Sequence, residues 1–250
     1  MTEAACAARV ERGDPERFAS VMAAPMAYRG RLFVLYAFNL EVARAPWVSA
    51  EPLIAEMRLQ WWRDEVTQPR PRAHEVAGPL HALIARGLPL DVIDRLIAAR
   101  LRDSQRDAFA DETALDAYLD DTGGGLMWLA ACACGAVPKA EPVARGFGWA
   151  TGLAGYLRAV PVLEARGRVP LVNGRPEAVA ALALRGLDRL AQARRGRHLM
   201  PSAAALAGWQ TEALLRQVVA NPRCVAAGGM GLSEFQRRGR LAWQAATGRW

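Results

Sequence analysis

The chain has 250 residues, of which 52% are hydrophobic and 23% are charged. A chain of this length and composition buries a full core, which excludes a disordered tail and a small disulfide-stapled scaffold. Its formal charge of +7 permits anionic partners such as phosphates, acidic lipids or nucleic acid. The basic residues are scattered and carry no nucleic-acid-binding signature, so we expect no nucleic-acid partner.

The amino terminus and the apolar runs bear on the location of the protein. The segment from Met1 to Pro15 mixes acidic and basic residues and lacks the apolar core of a cleavable signal. The longest apolar run, Leu126 to Val137, is about half of what a bilayer-spanning helix needs. Four cysteines without paired CxxC spacing suit a reducing compartment and give little support to a zinc site. We therefore expect a cytoplasmic protein that is free or peripheral on the inner face of the membrane.

Apolar residues recur at helical spacing along the chain, and proline stands in the first turn of several helices, where its missing N–H costs nothing. No comparable stretch alternates in strand fashion. The predicted helices are 14–24, 28–45, 50–66, 76–86, 91–109, 112–135, 142–165, 176–196, 201–220 and 232–247. Because no linker long enough to divide two domains appears, we expect a single all-α domain.

Several acidic groups have the spacing of a metal site, because carboxylates four residues apart share one face of a helix and can hold Mg²⁺. Each also has a plainer interpretation. Asp64 with Glu65 fits the polar side of a helix, Asp91 with Asp94 fits helix capping, and Asp103 with Asp107 fits a solvated face interleaved with arginines. Asp116, Asp120 and Asp121 fit surface charge, or the border of a cavity beside Gly123 to Gly125.

At Tyr36-Ala37-Phe38, and again from Leu157 through Gly167-Arg168-Val169, the chain resembles the squalene/phytoene synthase family. The resemblance covers about residues 14–247, which we take as one squalene/phytoene synthase-like domain. It implies the all-α isoprenoid-synthase (terpenoid synthase) fold, with helices around a central cavity. Enzymes of the family condense two prenyl diphosphates head to head and hold Mg²⁺ between two aspartate-rich helices.

Both aspartate-rich motifs of the family are altered here. In the enzymes the Tyr-Ala-Phe segment runs on to a carboxylate cluster, whose positions fall on Ala43, Arg44 and Trp47. In the second motif, Ala159 and Leu163 stand where the resemblance places two carboxylates. A methyl, an indole and an isobutyl group cannot bind a hard cation, and an arginine repels one. The resemblance therefore implies a cavity without the metal-binding acids.

Within the family, three short segments resemble the phytoene-synthase-like assembly factor of mitochondrial complex I. They are Phe38-Asn39-Leu40-Glu41, Met57-Arg58-Leu59-Gln60-Trp61-Trp62 and Leu157-Arg158-Ala159-Val160-Pro161. The leading hypothesis is a non-catalytic assembly factor or lipid/isoprenoid binder without a cofactor, which works with a membrane surface or a membrane-protein partner. The alternative is a divergent prenyl-diphosphate-condensing synthase, in which a shifted register brings Glu41 or Glu164 into a Mg²⁺ site.

Two sets of residues are predicted contacts outside the altered motifs. Arg158, Arg166 and Arg168 can contact an anionic headgroup, because guanidinium binds phosphate without a metal, or they can pair with acids on neighbouring helices. The last predicted helix carries Phe235, Arg237, Arg238, Arg240 and Trp243. It docks on an anionic membrane or a membrane-bound partner, or else it closes the domain and buries its two aromatic rings in the core.

Overall fold

The structure is a computed structural model that describes residues 3–49 and 51–250. Met1 and Thr2, at the start of the segment predicted to lack a signal, and Ala50, at the start of the predicted helix 50–66, lie outside these residues. The described chain consists of helices and turns and contains no strand. The predicted all-α class is confirmed.

The α-helices run in chain order. They are α1 (Glu3–Gly13), α2 (Pro15–Ala23), α3 (Met26–Arg44), α4 (Pro52–Thr67), α5 (Ala77–Ile84), α6 (Leu90–Ala99), α7 (Glu112–Leu119), α8 (Gly125–Ala133), α9 (Glu141–Ala165), α10 (Pro176–Arg195), α11 (Ser202–Ala205), α12 (Thr211–Ala220), α13 (Arg223–Ala226) and α14 (Glu234–Thr247). A π-helical segment, Asp120–Gly124, joins α7 directly to α8. The predicted helices agree with α2, α3, α4, α5, α9, α10 and α14 to within two residues at each end.

The structure differs from the predicted helices at several points, and the helix predicted over 112–135 is divided into α7, the π-helical segment and α8. The helix predicted over 91–109 ends at Ala99 and tightens into a 3-10 turn, Arg100–Ser104, in which Arg100 pairs with Asp103. The helix predicted over 201–220 is divided into α11, a 3-10 turn and α12, because the chain bends where Gly208 packs against the ring of Phe147. Helices α1 and α13 were not predicted.

Helices α3, α8 and α9 form the centre of the fold. Ten residues of α3, between Leu32 and Val42, are buried, and nearly all of α8 is buried. Helices α1 and α5 cover α3, while α10 and α12 pack against α9. A helix that is apolar on all sides has to be enclosed by others, and this arrangement encloses α3 and α8.

Local sequence determines where several of these helices begin. Asp14 caps α2 by accepting a hydrogen bond of 3.0 Å from the Arg17 backbone N–H, and Pro15 follows it in the first turn. Ser233 and Gln236 form a reciprocal capping box at the start of α14. Each such cap stabilises a helix by about 1 kcal/mol. The caps position α2 and α14, and an ion pair between Glu16 of α2 and Arg237 of α14 joins the two helices.

Candidate functional site

A cavity of about 320 Å³ lies between the second half of α3, the segment from α7 to α8 and the middle of α9. Its wall is mostly apolar and combines small residues with Leu119, Leu126 and Met127. A concave, largely apolar cavity of this size is typical of a site for a small molecule or a lipid tail. The central cavity expected from the family resemblance is present.

Glycines allow the helices around the cavity to approach closely. A Cβ on Gly123, in the π-helical segment, would lie only 2.6 Å from the carbonyl oxygen of Gly148 on α9. Gly152 and Gly155 continue that face of α9 along the cavity wall, and a Cβ on Gly155 would meet only open space. Gly123 therefore borders a cavity where two backbones meet, but the aspartates for which a cavity border was one alternative, Asp116, Asp120 and Asp121, do not line it.

The structure places four of the five positions of the altered motifs on the wall of this cavity. They are Ala43 on α3, Trp47 in the following 3-10 turn, and Ala159 and Leu163 on α9. Arg44 borders an adjoining recess that Trp47 and Leu163 also line. The side chains of alanine, tryptophan and leucine carry no atom that binds a hard cation. Two segments far apart in sequence thus converge on one cavity without bringing a carboxylate to it.

The two acids that a shifted register would recruit lie elsewhere. Glu41 accepts a hydrogen bond from Arg9 of α1, and Glu164 lies exposed near the end of α9. Neither lines the cavity. Of the described residues that do, Asp103 is the one carboxylate.

Asp103 belongs to a buried polar cluster on the cavity wall. It accepts a hydrogen bond of 2.8 Å from Tyr118 Oη and one of 3.2 Å from Arg100, which also donates to Tyr118 Oη at 3.1 Å. Burial raises the pKa of Tyr118, against the opposite effect of the Arg100 charge, so the phenol stays protonated. The interpretation of Asp103 as part of a solvated face is wrong, because the tightened 3-10 turn directs its side chain inward, whereas Asp107 is exposed.

Tyr36 and Asn39 supply polar groups on the α3 side of the cavity. Both are buried, with only 2% and 4% of their surface exposed, and both line the cavity. Tyr36 Oη and Asn39 Oδ1 have no hydrogen-bond partner in the described structure. Burial raises the pKa of Tyr36, and the guanidinium of Arg17 lies 5.0 Å from its ring. Buried polar groups without partners are rare and cost free energy, so these two atoms suit a polar group of a bound molecule.

Tyr36 and Asn39 belong to the segments that carry the family resemblance, and no site role was predicted for them. None was predicted for Arg100 or Tyr118 either. The available signal was the polar Asn39 in an otherwise apolar stretch of a central helix, which is unfavourable without a partner or a ligand.

The three arginines predicted to contact an anion lie in two different environments. Arg158 donates hydrogen bonds of 3.0 and 2.8 Å to both carboxylate oxygens of Glu16 on α2. Arg166 and Arg168 instead stack on the indole of Trp47, with guanidinium carbons 4.6 and 4.0 Å from the ring centroid. The ion-pair alternative thus describes Arg158 and does not describe the other two.

Three further aspartates, Asp116, Asp120 and Asp121, are paired with arginines and do not line the cavity. Asp116 binds Arg185 and Arg189, while Asp120 binds Arg145. Their interpretation as surface charge fits these contacts, since ion pairs of this kind are common on helix faces.

The interpretation of Asp91 with Asp94 as a helix cap is wrong. Pro89 occupies the cap position of α6 and no side chain bonds there. Asp91 pairs with Arg95, and Asp94 pairs with Arg63 of α4 at 2.6 Å. These acids connect and support helices rather than cap one.

Glu65 was also misassigned, since its side chain is fully buried and does not lie on the polar side of α4. It accepts a hydrogen bond of 3.0 Å from the Arg72 backbone N–H and lies 3.2 Å from His81 Nε2 on α5. A buried carboxylate with such partners holds neighbouring segments together. Its role is to position the chain between α4 and α5.

Helix α14 turns its aromatic residues outward. Phe235 is 87% exposed and Trp243 is 54% exposed, so the alternative that buries them in the core is wrong. The helix packs instead through Leu241 and Gln244, whose amide donates to the Ala205 carbonyl at 3.0 Å.

The arginines of α14 also divide by face. Arg237 pairs with Glu16 and Glu234, and Arg238 pairs with Glu234. Arg240 is exposed and forms no ion pair with the described residues. Only Arg238 and Arg240 therefore remain on the outward side with the two aromatic rings.

Two features of the described residues bear on metal binding and on the membrane. Over residues 3–49 and 51–250 no group of three or more His, Cys, Asp or Glu side chains is placed to hold a metal ion. In the same part of the chain, no helix combines the length and the apolar character that crossing a membrane requires.

Comparisons with solved structures agree on the fold. A dehydrosqualene synthase superimposes with a TM-score of 0.75 over 98% of this chain and 95% of its own, at 12% identity. A squalene synthase from Alicyclobacillus acidocaldarius gives a TM-score of 0.72 over 90% of this chain and 94% of its own, at 19% identity. Identities this low show the shared isoprenoid-synthase fold and nothing finer.

Comparisons of sequence give the family. Assembly factor 6 homologue of NADH dehydrogenase (ubiquinone) complex I from Drosophila melanogaster is 31% identical over 180 residues, 67% of this chain and 53% of that protein. The Bos taurus assembly factor 6 is 27% identical over 67% of this chain and 52% of its own. The chain thus spans about half the length of the curated relatives it matches. Because the profile of squalene/phytoene synthases matches residues 10–174, the chain belongs to the squalene/phytoene synthase family.

Proposed function

We propose that this protein is a non-catalytic assembly factor for a respiratory NADH dehydrogenase of the complex I type, and that it works in the cytoplasm at the inner face of the membrane. The names of the curated relatives support the assembly role. We infer the same role for this chain from the stretch that it shares with them.

The observation that carries the proposal is the composition of the cavity wall. Departure of diphosphate from a prenyl substrate leaves a carbocation, and a bound metal lowers the barrier by neutralising the leaving group. Ala43, Trp47, Ala159 and Leu163 supply no metal ligand where the family resemblance expects acids. The one carboxylate on the wall, Asp103, is engaged by Arg100 and Tyr118. These residues support binding without turnover.

The rest of the cavity supports a ligand that stays intact. The wall offers apolar surface for an isoprenoid or lipid chain, together with the unpartnered Tyr36 Oη and Asn39 Oδ1 for one polar group. Bound in this way, the molecule is held and oriented, and the described residues of the wall offer no pair of carboxylates to hold Mg²⁺ against a leaving group.

The outward face of α14 supports work at a membrane. Phe235 and Trp243 lie on one broad face with Arg238 and Arg240 at its sides. Apolar burial combined with cationic attraction is how interfacial helices bind, and each arginine near an acidic bilayer contributes about 1 kcal/mol. Two such arginines give reversible docking, which suits a factor that leaves after assembly.

The proposal is tested by deleting the gene in the organism that encodes it and measuring assembled complex I by native electrophoresis with an NADH-oxidation stain. We expect the assembled complex to fall and the wild-type gene to restore it. In parallel, the purified protein with prenyl diphosphates and Mg²⁺ is expected to form neither squalene nor phytoene. Unchanged complex I in the deletion strain contradicts the assembly role, and product formation favours the divergent synthase.

A further inference from the structure

A second recess, which Trp47 also lines, opens beside the cavity. Its volume is about 300 Å³, and the residues that line it include Trp47, Ser49, Arg106, Arg166 and Arg168. The backbone N–H of Val169 donates to the carbonyl of Arg106 at 2.9 Å and ties two of the lining segments together. None of the described residues that line this recess carries a carboxylate.

Two arginines of the recess are held in place by stacking, and no acidic side chain of the described residues neutralises them. Arg166 and Arg168 stack on the indole of Trp47. Stacking uses the face of a guanidinium and leaves its N–H donors free at the edge. Within residues 3–49 and 51–250, neither these two arginines nor Arg106 forms a side-chain hydrogen bond or an ion pair.

The surroundings leave positive charge uncompensated. Burial is the largest cause of a lowered pKa at Arg168, and the charge of Arg102 acts in the same direction. Asp103 opposes the shift, but its carboxylate is already bonded to Arg100 and Tyr118. A bound anion would supply the countercharge that the protein does not.

We propose that the recess formed by Trp47, Arg106, Arg166 and Arg168 is a binding site for a phosphate group that needs no metal ion. Planar guanidinium groups match phosphate oxygens in pairs, and their charge does not depend on pH in the physiological range. Ser49 accepts a hydrogen bond from the Glu51 backbone N–H at 3.1 Å, so its hydroxyl hydrogen is free to be donated to the same anion.

The phosphate comes either free in solution or as the headgroup of an amphiphile. The adjoining recess beside Arg44 shares Ala159 and Leu163 with the apolar cavity and Arg166 with the arginine recess, so it lies between the two spaces. An amphiphile can therefore place its headgroup on the arginines and its chain along the cavity. This binding is independent of the assembly role, because it concerns the isolated protein.

The test is calorimetric titration of the purified full chain in EDTA with two probes, inorganic phosphate and a short-chain lysophosphatidic acid below its micelle concentration. The double variant Arg166→Gln/Arg168→Gln is expected to bind either probe about tenfold more weakly or worse, since hydrogen bonds to charged groups are the strong ones. Arg158→Gln, in the helix that precedes these two arginines, is the matched control, because Glu16 already pairs with Arg158. It should bind as the wild type does.

A further variant distinguishes the two sources of phosphate. Gly155→Leu extends a side chain into the open space beside the cavity wall. If the natural ligand is an amphiphile, this variant weakens the binding of lysophosphatidic acid and leaves the binding of inorganic phosphate unchanged. If the ligand is free phosphate, the binding of neither probe changes. Binding that requires Mg²⁺, binding that survives in the double variant, or no binding of either probe to the wild type would overturn the proposal. Circular dichroism confirms that each variant is folded.

Discussion

Arg158 lies about two helical turns before the end of α9 and Arg166 directly follows that end, yet their surroundings differ. Arg158 is bonded to Glu16 of α2, which also pairs with Arg237 of α14, so one carboxylate joins three helices. Arg166 stacks on Trp47 beside Arg168 and has no carboxylate partner among the described residues. Arg158, which faces an acid, therefore joins helices, whereas Arg166, which faces an aromatic ring, keeps its N–H donors free.

The largest expected effect concerns a third arrangement, the buried Arg100 neutralised by Asp103. Asp103→Asn leaves that guanidinium buried without its countercharge and should lower the free energy of unfolding by about 3 kcal/mol. Urea denaturation followed by circular dichroism measures it. Asp107→Asn, four residues along and exposed, is the control and should stay within about 0.5 kcal/mol of wild type. A similar small effect for Asp103→Asn would show that the cluster does not hold this turn.

Glu16→Gln tests the junction of three helices and should cost about 1 kcal/mol at neutral pH, because the groups involved are partly exposed. Burial acts to raise the pKa of Glu16, but hydrogen bonds and charge from Arg158 and Arg237 leave it below the usual 4.5. A lowered folded-state pKa stabilises the protein above 4.5 and ceases to do so as the pH falls through that lower value. The difference in Tm between wild type and variant should therefore narrow below pH 4.5.

Arg158→Gln and Arg166→Gln compare the two environments directly. We expect the first to lower stability by about 0.5 to 1 kcal/mol, since it breaks a two-point contact with Glu16. The second should change stability by less than about 0.5 kcal/mol, since the lost stacking on Trp47 is offset by relief of repulsion from Arg168. Thermal unfolding of both variants measures the order. The opposite order would mean that the Trp47 arginines are structural.

The smallest effect on stability is expected on the outward face of α14. Phe235→Ser with Trp243→Ser should leave the free energy of unfolding within about 0.5 kcal/mol, because neither ring is buried. The fraction of protein that floats with anionic liposomes should nevertheless fall. Arg238→Gln with Arg240→Gln should also weaken flotation, by about 1 kcal/mol per arginine at low salt. Flotation that is absent in the wild type, or unchanged in both variants, would exclude docking through this face.

The success of the sequence analysis follows from the range of the signals it used. Helical periodicity and proline starts act within a few residues, and they placed seven helices to within two residues. The short matches around Tyr36 and Leu157 were sufficient for the family, which the profile match over residues 10–174 shows. They also brought Ala43, Trp47, Ala159 and Leu163 into consideration before the cavity that they line was seen.

The sequence by itself determined seven of the helices, the all-α class and the family of this protein. Only the tertiary structure decided which arginine faces an acid, that Asp103 and Glu65 point inward, and that Phe235 and Trp243 point outward. The contact between Glu16 and Arg158 joins residues 142 positions apart. No local pattern reports such a pairing, because the free energy of a charged side chain depends on what the packed helices place against it.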